Sequence, residues 1–162
     1  MKRAELLRRI AASKEDLDDL VSTIDPRRIG EEGPDGGWSI KDHLAHLGTW
    51  AEFALFRVEE RTEEHEIVGL TTEEYEPLGV DELNDIIRER HRRRPAGEVP
   101  RYLDDVWDRL FSAVSAVLQD RLDLPWLPED PSRGSLADTV AENSFEHLEE
   151  HDPTFRALAE DR

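Results

Sequence analysis

Six histidines occur in the 162-residue chain, and four of them fall at spacings that suit metal chemistry. In ENSFEHLEEH, residues 142–151, His147 and His151 stand four apart. On a helix that spacing stacks both rings on one face, one turn apart and within reach of a single ion. Projected at about 100° per residue, they share a stripe with Leu136, Val140 and Ser144, which turns them toward a helical core rather than toward the surrounding glutamates. In GWSIKDHLAHLGTW, residues 37–50, His43 and His46 stand three apart beside an apolar face of Ile40, Leu44, Leu47, Ala51 and Ala54. His43 lies one turn after a helix start at Ser39 and is placed to pack on Trp38 like a hydrophobic staple. His46 is one turn deeper and better placed to meet a site in the core. Three neutral imidazoles converging from two helices would make an open site for a divalent ion, with a position left for water or substrate. The spacing leaves a second reading open, in which these are core or boundary histidines paired with acids such as Asp42, Glu146 or Glu150. His65 and His91 sit among charged residues and read as surface positions.

The elements that must carry these residues follow from hydrophobic period. Leu6, Leu7, Ile10, Leu17, Leu20, Val21 and Ile24 recur at three and four, giving a first helix closed by Pro26. After the turn-rich GEEGPDGGW, Ser39 with Asp42 three residues on forms a capping-box pattern, so a second helix begins near Ile40 and runs to about Arg61. Residues 62–79 show no period and read as a connection with a short turn, placed to cover a site. A third pattern starts near Val80, is interrupted at Pro95 and Pro100, and resumes through Leu103, Val106, Trp107, Leu110, Val114, Val117 and Leu118. The proline-rich LDLPWLPEDPSRG is a loop. Ser135 with Asp138 repeats the start signal for a last helix from about Leu136, which Asp152-Pro153 should kink or restart. Four long amphipathic patterns without strand alternation imply an all-α bundle forming a single domain over residues 1–162.

Composition narrows the function. With 21 basic against 39 acidic side chains the formal net charge is −18, which argues against wrapping nucleic acid or lying on an anionic membrane. There is no cysteine, so disulfides, a thiolate metal site and a protein thiol nucleophile are excluded. No apolar run is long enough to span a bilayer, and MKRAELLRRIAASKEDLDDL lacks the apolar region of a signal peptide, so the expected location is the cytoplasm. No glycine-rich phosphate loop, nucleophile elbow or HExxH is present. The basic cluster RERHRRR, residues 88–94, reads as a solvated helix end whose cations suit the negative end of the helix dipole, the other reading being a steering patch for an anionic substrate. Trp38, Trp50, Trp107 and Trp126 read as packing residues, with Trp50 also placed to line a pocket beside His46. Asn143, one turn before His147, is placed to orient a ligand or hold substrate.

Taken together, GWSIKDHLAHL, VDELNDIIRERHRRRP and ENSFEHLEEH resemble the DinB/YfiT-like superfamily of four-helix bundles, unrelated to the polymerase of similar name, and within it the ClbS/DfsB branch. The resemblance covers nearly the whole chain. It implies a DinB-like four-helix bundle of up-down-down-up type with a divalent metal, commonly zinc or nickel. The ligands it implies are His46 from the second helix and His147 with His151 from the last; His43 has no counterpart among them. Members of the ClbS branch act with or without that triad, and this sequence keeps it. The resemblance further implies a homodimer and a small-molecule substrate. Its chemistry is transfer of a low-molecular-weight thiol, such as mycothiol or bacillithiol, onto an electrophile in detoxification. The alternatives are hydrolysis of a reactive small molecule, with Glu150 as a candidate proton acceptor, and a non-catalytic binding or sequestering protein.

Overall fold

A computed structural model describes residues 1–34 and 37–160, so Asp35 and Gly36 of the turn-rich segment and the last two residues lie outside the described residues. The described chain is helical, with no strand and one isolated bridge between Pro125 and Ser135. Four elements build the bundle: α1 (Arg3–Ser22), α2 (Ile40–Val58), α6 (Val99–Ala116) and a last arm made of α8 (Leu136–Glu142) and α9 (Phe145–Glu160). Between α2 and α6 the chain forms two single-turn helices, α3 (Glu64–Ile67) and α4 (Thr72–Tyr75), and then α5 (Val80–His91); α7 (Gln119–Leu122) follows α6.

The central member is α2. Fourteen of its 19 residues are buried, which is the pattern of a helix covered on all sides rather than on one stripe. It packs on α6, α5, α8 and α9, while α1 packs on α6, α8 and α9. Both capping boxes form as the sequence predicts: Ser39 accepts from the Asp42 amide at 3.1 Å while Asp42 accepts from the Ser39 amide at 2.9 Å, and Ser135 pairs likewise with Asp138. At its other end α2 stops at Val58, three residues short of the expected Arg61. Glu60 takes a left-handed φ of 58°, and the amides of Glu60 and Arg61 turn back to the carbonyls of Arg57 and Phe56. That is a Schellman termination with a non-glycine residue in the left-handed position.

The last helix differs from expectation in two places. It breaks at Asn143, where the amide of the side chain donates to the Thr139 carbonyl at 2.8 Å and Ser144 Oγ donates to the Val140 carbonyl at 2.5 Å. It does not break at Pro153, which lies inside α9. Beyond the proline, Phe155 is fully buried in the main core, and that burial holds the helix on course past the missing amide.

The main core joins α1, α2, α6, α8 and α9, with Trp107 donating its indole N–H to the Ile10 carbonyl at 3.1 Å. A second, smaller core of Phe53, Phe56, Ile67, Val68, Leu83 and Ile87 lies where α3 and α5 meet α2. The 62–79 connection is therefore packed rather than loose: Tyr75 stacks on Phe53 and donates to Glu64, which pairs with Arg57 at 2.7 Å. It meets the histidines through Trp50, which packs on this second core. None of the described helices is long and apolar enough to cross a membrane.

Candidate metal centre

His46 projects from the middle of α2, and His147 and His151 from the first two turns of α9. The break at Asn143 starts α9 immediately before this pair. One ligand nitrogen from each of the three rings can be chosen so that all lie within 4.8 Å of one another. The Nε2 atoms of His46 and His147 face each other at 2.9 Å, and ring centroids within the triad are 4.7 to 5.0 Å apart. His43 joins the group from one turn earlier on α2, with its Nδ1 3.1 Å from Nδ1 of His151. Four histidines thus converge, three of them on a common point.

Burial sets their charge. Removal from water first, and then the neighbouring imidazoles His147, His151 and His43, together push His46 down to about 3. His147 is pushed down to about 4 first by burial and then by His151; burial likewise lowers His151, against the pull of Glu150. His43 falls to about 4 by burial and its neighbour His151, opposed by Asp42. All four rings are therefore neutral near pH 7, the state in which an imidazole offers a lone pair. The Nδ1 atoms of His46 and His147 are buried with no hydrogen-bond partner. Two rings whose Nε2 atoms meet, His46 buried and His147 half-buried, with His151 beside them, fit a divalent cation drawing on the converging lone pairs.

Aromatic rings wall the group. Trp38 lies 5.2 Å from His43 and 5.1 Å from His46, Phe155 lies 5.4 Å from His43, and Trp50 stands edge-on to His46 and His147. Trp50 is fixed from α5 by donating to Asn84 Oδ1 at 3.1 Å. Behind Trp38, the Arg88 guanidinium lies 5.9 Å from its ring and 3.4 Å from the Asp42 carboxylate.

A model of the DinB superfamily matches residues 4–151 of this chain. The chain belongs to the DinB superfamily. A crystal structure of a Streptococcus pneumoniae protein is similar to this DinB-superfamily chain at a TM-score of 0.70 and 14% identity, covering 98% of this chain and 88% of that one, which supports the shared fold. No curated protein matches.

Within this DinB-superfamily bundle the structure brings His46, His147 and His151 together. It also brings in His43, a weaker candidate in the sequence, which packs on Trp38 as expected and in addition meets His151. Asn143 caps α8 and does not reach toward a ligand. Glu150 is exposed, and His65 is half-buried rather than a free surface residue. His91 is a correction: it is 4% exposed, packed beneath α2 with Nε2 3.2 Å from Thr49 Oγ1. Leu83, Ile87 and His91 form one buried stripe of α5, a signal that the charged neighbours in RERHRRR obscured. Of those neighbours, Arg88 pairs with Asp42, Arg92 with Glu89, and Arg94 lies 4.6 Å from the Tyr102 ring centroid, while Lys41 donates to the Arg92 carbonyl at the end of α5.

Proposed function

We propose that this DinB-superfamily protein binds one divalent metal, zinc or nickel, through His46, His147 and His151, and uses it to join a low-molecular-weight thiol to a small electrophile. The observation that carries the reading is the convergence of three neutral imidazoles from two helices. The chain's net charge of −18 favours uptake of a cation. The ClbS/DfsB likeness of the sequence supports a role in disarming a reactive small molecule.

A divalent ion held by three imidazoles supplies a Lewis acid that lowers the pKa of a thiol or water taken up beside it. The chain's own residues do the rest. His46, His147 and His151 stay neutral and fixed by burial, and Trp38 and Trp50 offer flat apolar walls for the body of an electrophile. In the reaction a sulfur–carbon bond forms at the electrophilic carbon, the leaving group departs with the bonding pair, and the thiol proton passes to solvent. The thiol comes from outside, because the chain has no cysteine.

The same site would serve hydrolysis, with water in place of the thiol. Transfer is favoured because none of the described carboxylates is hydrogen-bonded to the triad. A free thiol, with a pKa of about 8.5, needs less help to lose its proton than water at about 15.7. A small-molecule substrate and a homodimer through helix faces belong to the same proposal.

Turnover of a model electrophile, with thiol, metal and protein each omitted in turn, tests it. Dependence on both thiol and metal is expected. Dependence on metal alone would replace transfer by hydrolysis, and binding of electrophiles without turnover would make the protein a sequestering one. Sedimentation of the purified chain reads the dimer.

A further inference from the structure

We infer that His43 is a positioning residue for this site: its Nδ1 accepts the Nδ1–H of His151 and leaves His151 Nε2 as the nitrogen free to ligate. The inference rests on the metal reading above and goes beyond it by assigning the fourth histidine.

The argument is one of hydrogen count. The two Nδ1 atoms are 3.1 Å apart, so one carries the hydrogen and the other the lone pair. A ligating His151 is neutral and must keep a bare nitrogen for the ion. With Nδ1 turned to His43, that nitrogen is Nε2, so the hydrogen of His151 sits on Nδ1 and is donated. His43 then carries its own hydrogen on Nε2 and faces His151 as an acceptor.

His43 is held for this task. It is 8% exposed, its ring lies against those of Trp38 and Phe155, and its backbone amide donates to the Ser39 carbonyl in the capped first turn of α2. Among the described residues it is also the acceptor that the other two rings lack, since the Nδ1 atoms of His46 and His147 are buried without a partner. A partner of this kind fixes the tautomer and the ring angle of a metal-bound histidine. Because the acceptor is an imidazole and not a carboxylate, it does so without adding negative charge, so a bound cation keeps its full electrophilic pull.

The test uses the full chain without a histidine tag, with zinc as the probe, and compares wild type, His43→Ala and His43→Asn. The Asn carbonyl can stand where Nδ1 of His43 stands. Expected are a zinc affinity lowered by about 10–100-fold in His43→Ala, recovery of most of it in His43→Asn, and ¹⁵N ring shifts showing His151 protonated at Nδ1 with and without zinc. Unchanged zinc affinity in His43→Ala would reduce His43 to a packing residue. Loss of zinc as complete as in His46→Ala, with no recovery in His43→Asn, would make it a ligand, and either result overturns the inference. Wild-type protein that takes up neither zinc nor nickel would remove the metal reading and the positioning role together. Zinc uptake with His151 protonated at Nε2 would overturn the positioning role alone.

Discussion

Histidines lie on two sides of α2, a single buried ring toward α6 and a set of four buried or half-buried rings toward α9, and the two sides accommodate a desolvated imidazole differently. On the α6 side, His91 meets hydroxyls. Thr49 Oγ1 gives its hydrogen to the Ala45 carbonyl at 2.8 Å, so it must accept from His91 Nε2, while Tyr102 donates to Glu52 Oε2 at 2.8 Å. On its Nε2 side His91 is thus part of a polar chain of hydroxyls, while its Nδ1 is buried without a partner. On the α9 side, nitrogens meet nitrogens: His46 faces His147 and His43 faces His151, and the Nδ1 atoms of His46 and His147, like that of His91, have no partner. Burial depresses both groups alike, with His91 also pushed down to about 4, aided by Arg94, Arg90 and Lys41. A low histidine pKa therefore does not distinguish a site from a structural network here. What distinguishes them is whether lone pairs converge.

The largest expected effect separates the two groups directly. Elemental analysis of untagged protein should give about one divalent ion per chain. His46→Ala, His147→Ala and His151→Ala should each lose most of it, whereas His91→Ala keeps it. Loss in His91→Ala equal to that in His46→Ala would erase the contrast.

The next effect is in pH. A histidine whose folded pKa is depressed binds its proton only in the unfolded chain between about pH 6.5 and the folded value, so stability falls as pH drops through that window. For His91, falling to about 4 in the folded protein, the loss between pH 6.5 and 4 is roughly 3 kcal/mol. In urea melts of ion-free protein, His91→Gln should flatten the stability curve across this window by about one proton. An unchanged slope would show that His91 is already charged in the native state. With zinc present, the same fall in pH should also release the ion, because protons compete for the triad.

Gly48 lies between the two groups on α2, and a Cβ there would sit 2.7 Å from Tyr102 Cε1. Gly48→Ala gains helix propensity but overpacks the α2–α6 contact, and a net loss of about 1–2 kcal/mol is expected in denaturant unfolding. Zinc stoichiometry should stay unchanged, since the strain falls on the hydroxyl side; a change there would mean that α2 transmits it to His46. The smallest effect is that of Tyr102→Phe, which leaves half-buried Glu52 without its donor and should cost about 1 kcal/mol.

Much of this was legible in the chain because it is local. The helix starts at Ser39 and Ser135 are written in residues three apart, and four amphipathic patterns sufficed for the bundle. The His147 and His151 pair followed from a spacing of four. The preference for His46 over His43 came from its deeper place on the helix and was strengthened by the family likeness, since a spacing of three puts both rings on the same side of α2. The break at Asn143 was not legible: no glycine or proline marks it, and it depends on Ser144 being pulled into the core. Pro153 misled for the converse reason, since its local preference was overruled by the burial of Phe155. His91 was masked by its charged neighbours, although Leu83 and Ile87 carried the stripe that buries it.

The interruption at Asn143 and Ser144 has an engineering consequence. In an unbroken helix the angle between Val140, which fills the core, and His147, which faces His46, would be fixed by helical pitch, so re-aiming the imidazole would mean repacking the interior. Here the two surfaces belong to separate rods joined by a two-residue coupling. Substitutions at that coupling offer a way to steer His147 and His151 relative to α2 while Leu136 and Val140 keep their places, which makes it a natural tuning screw for a redesigned coordination site.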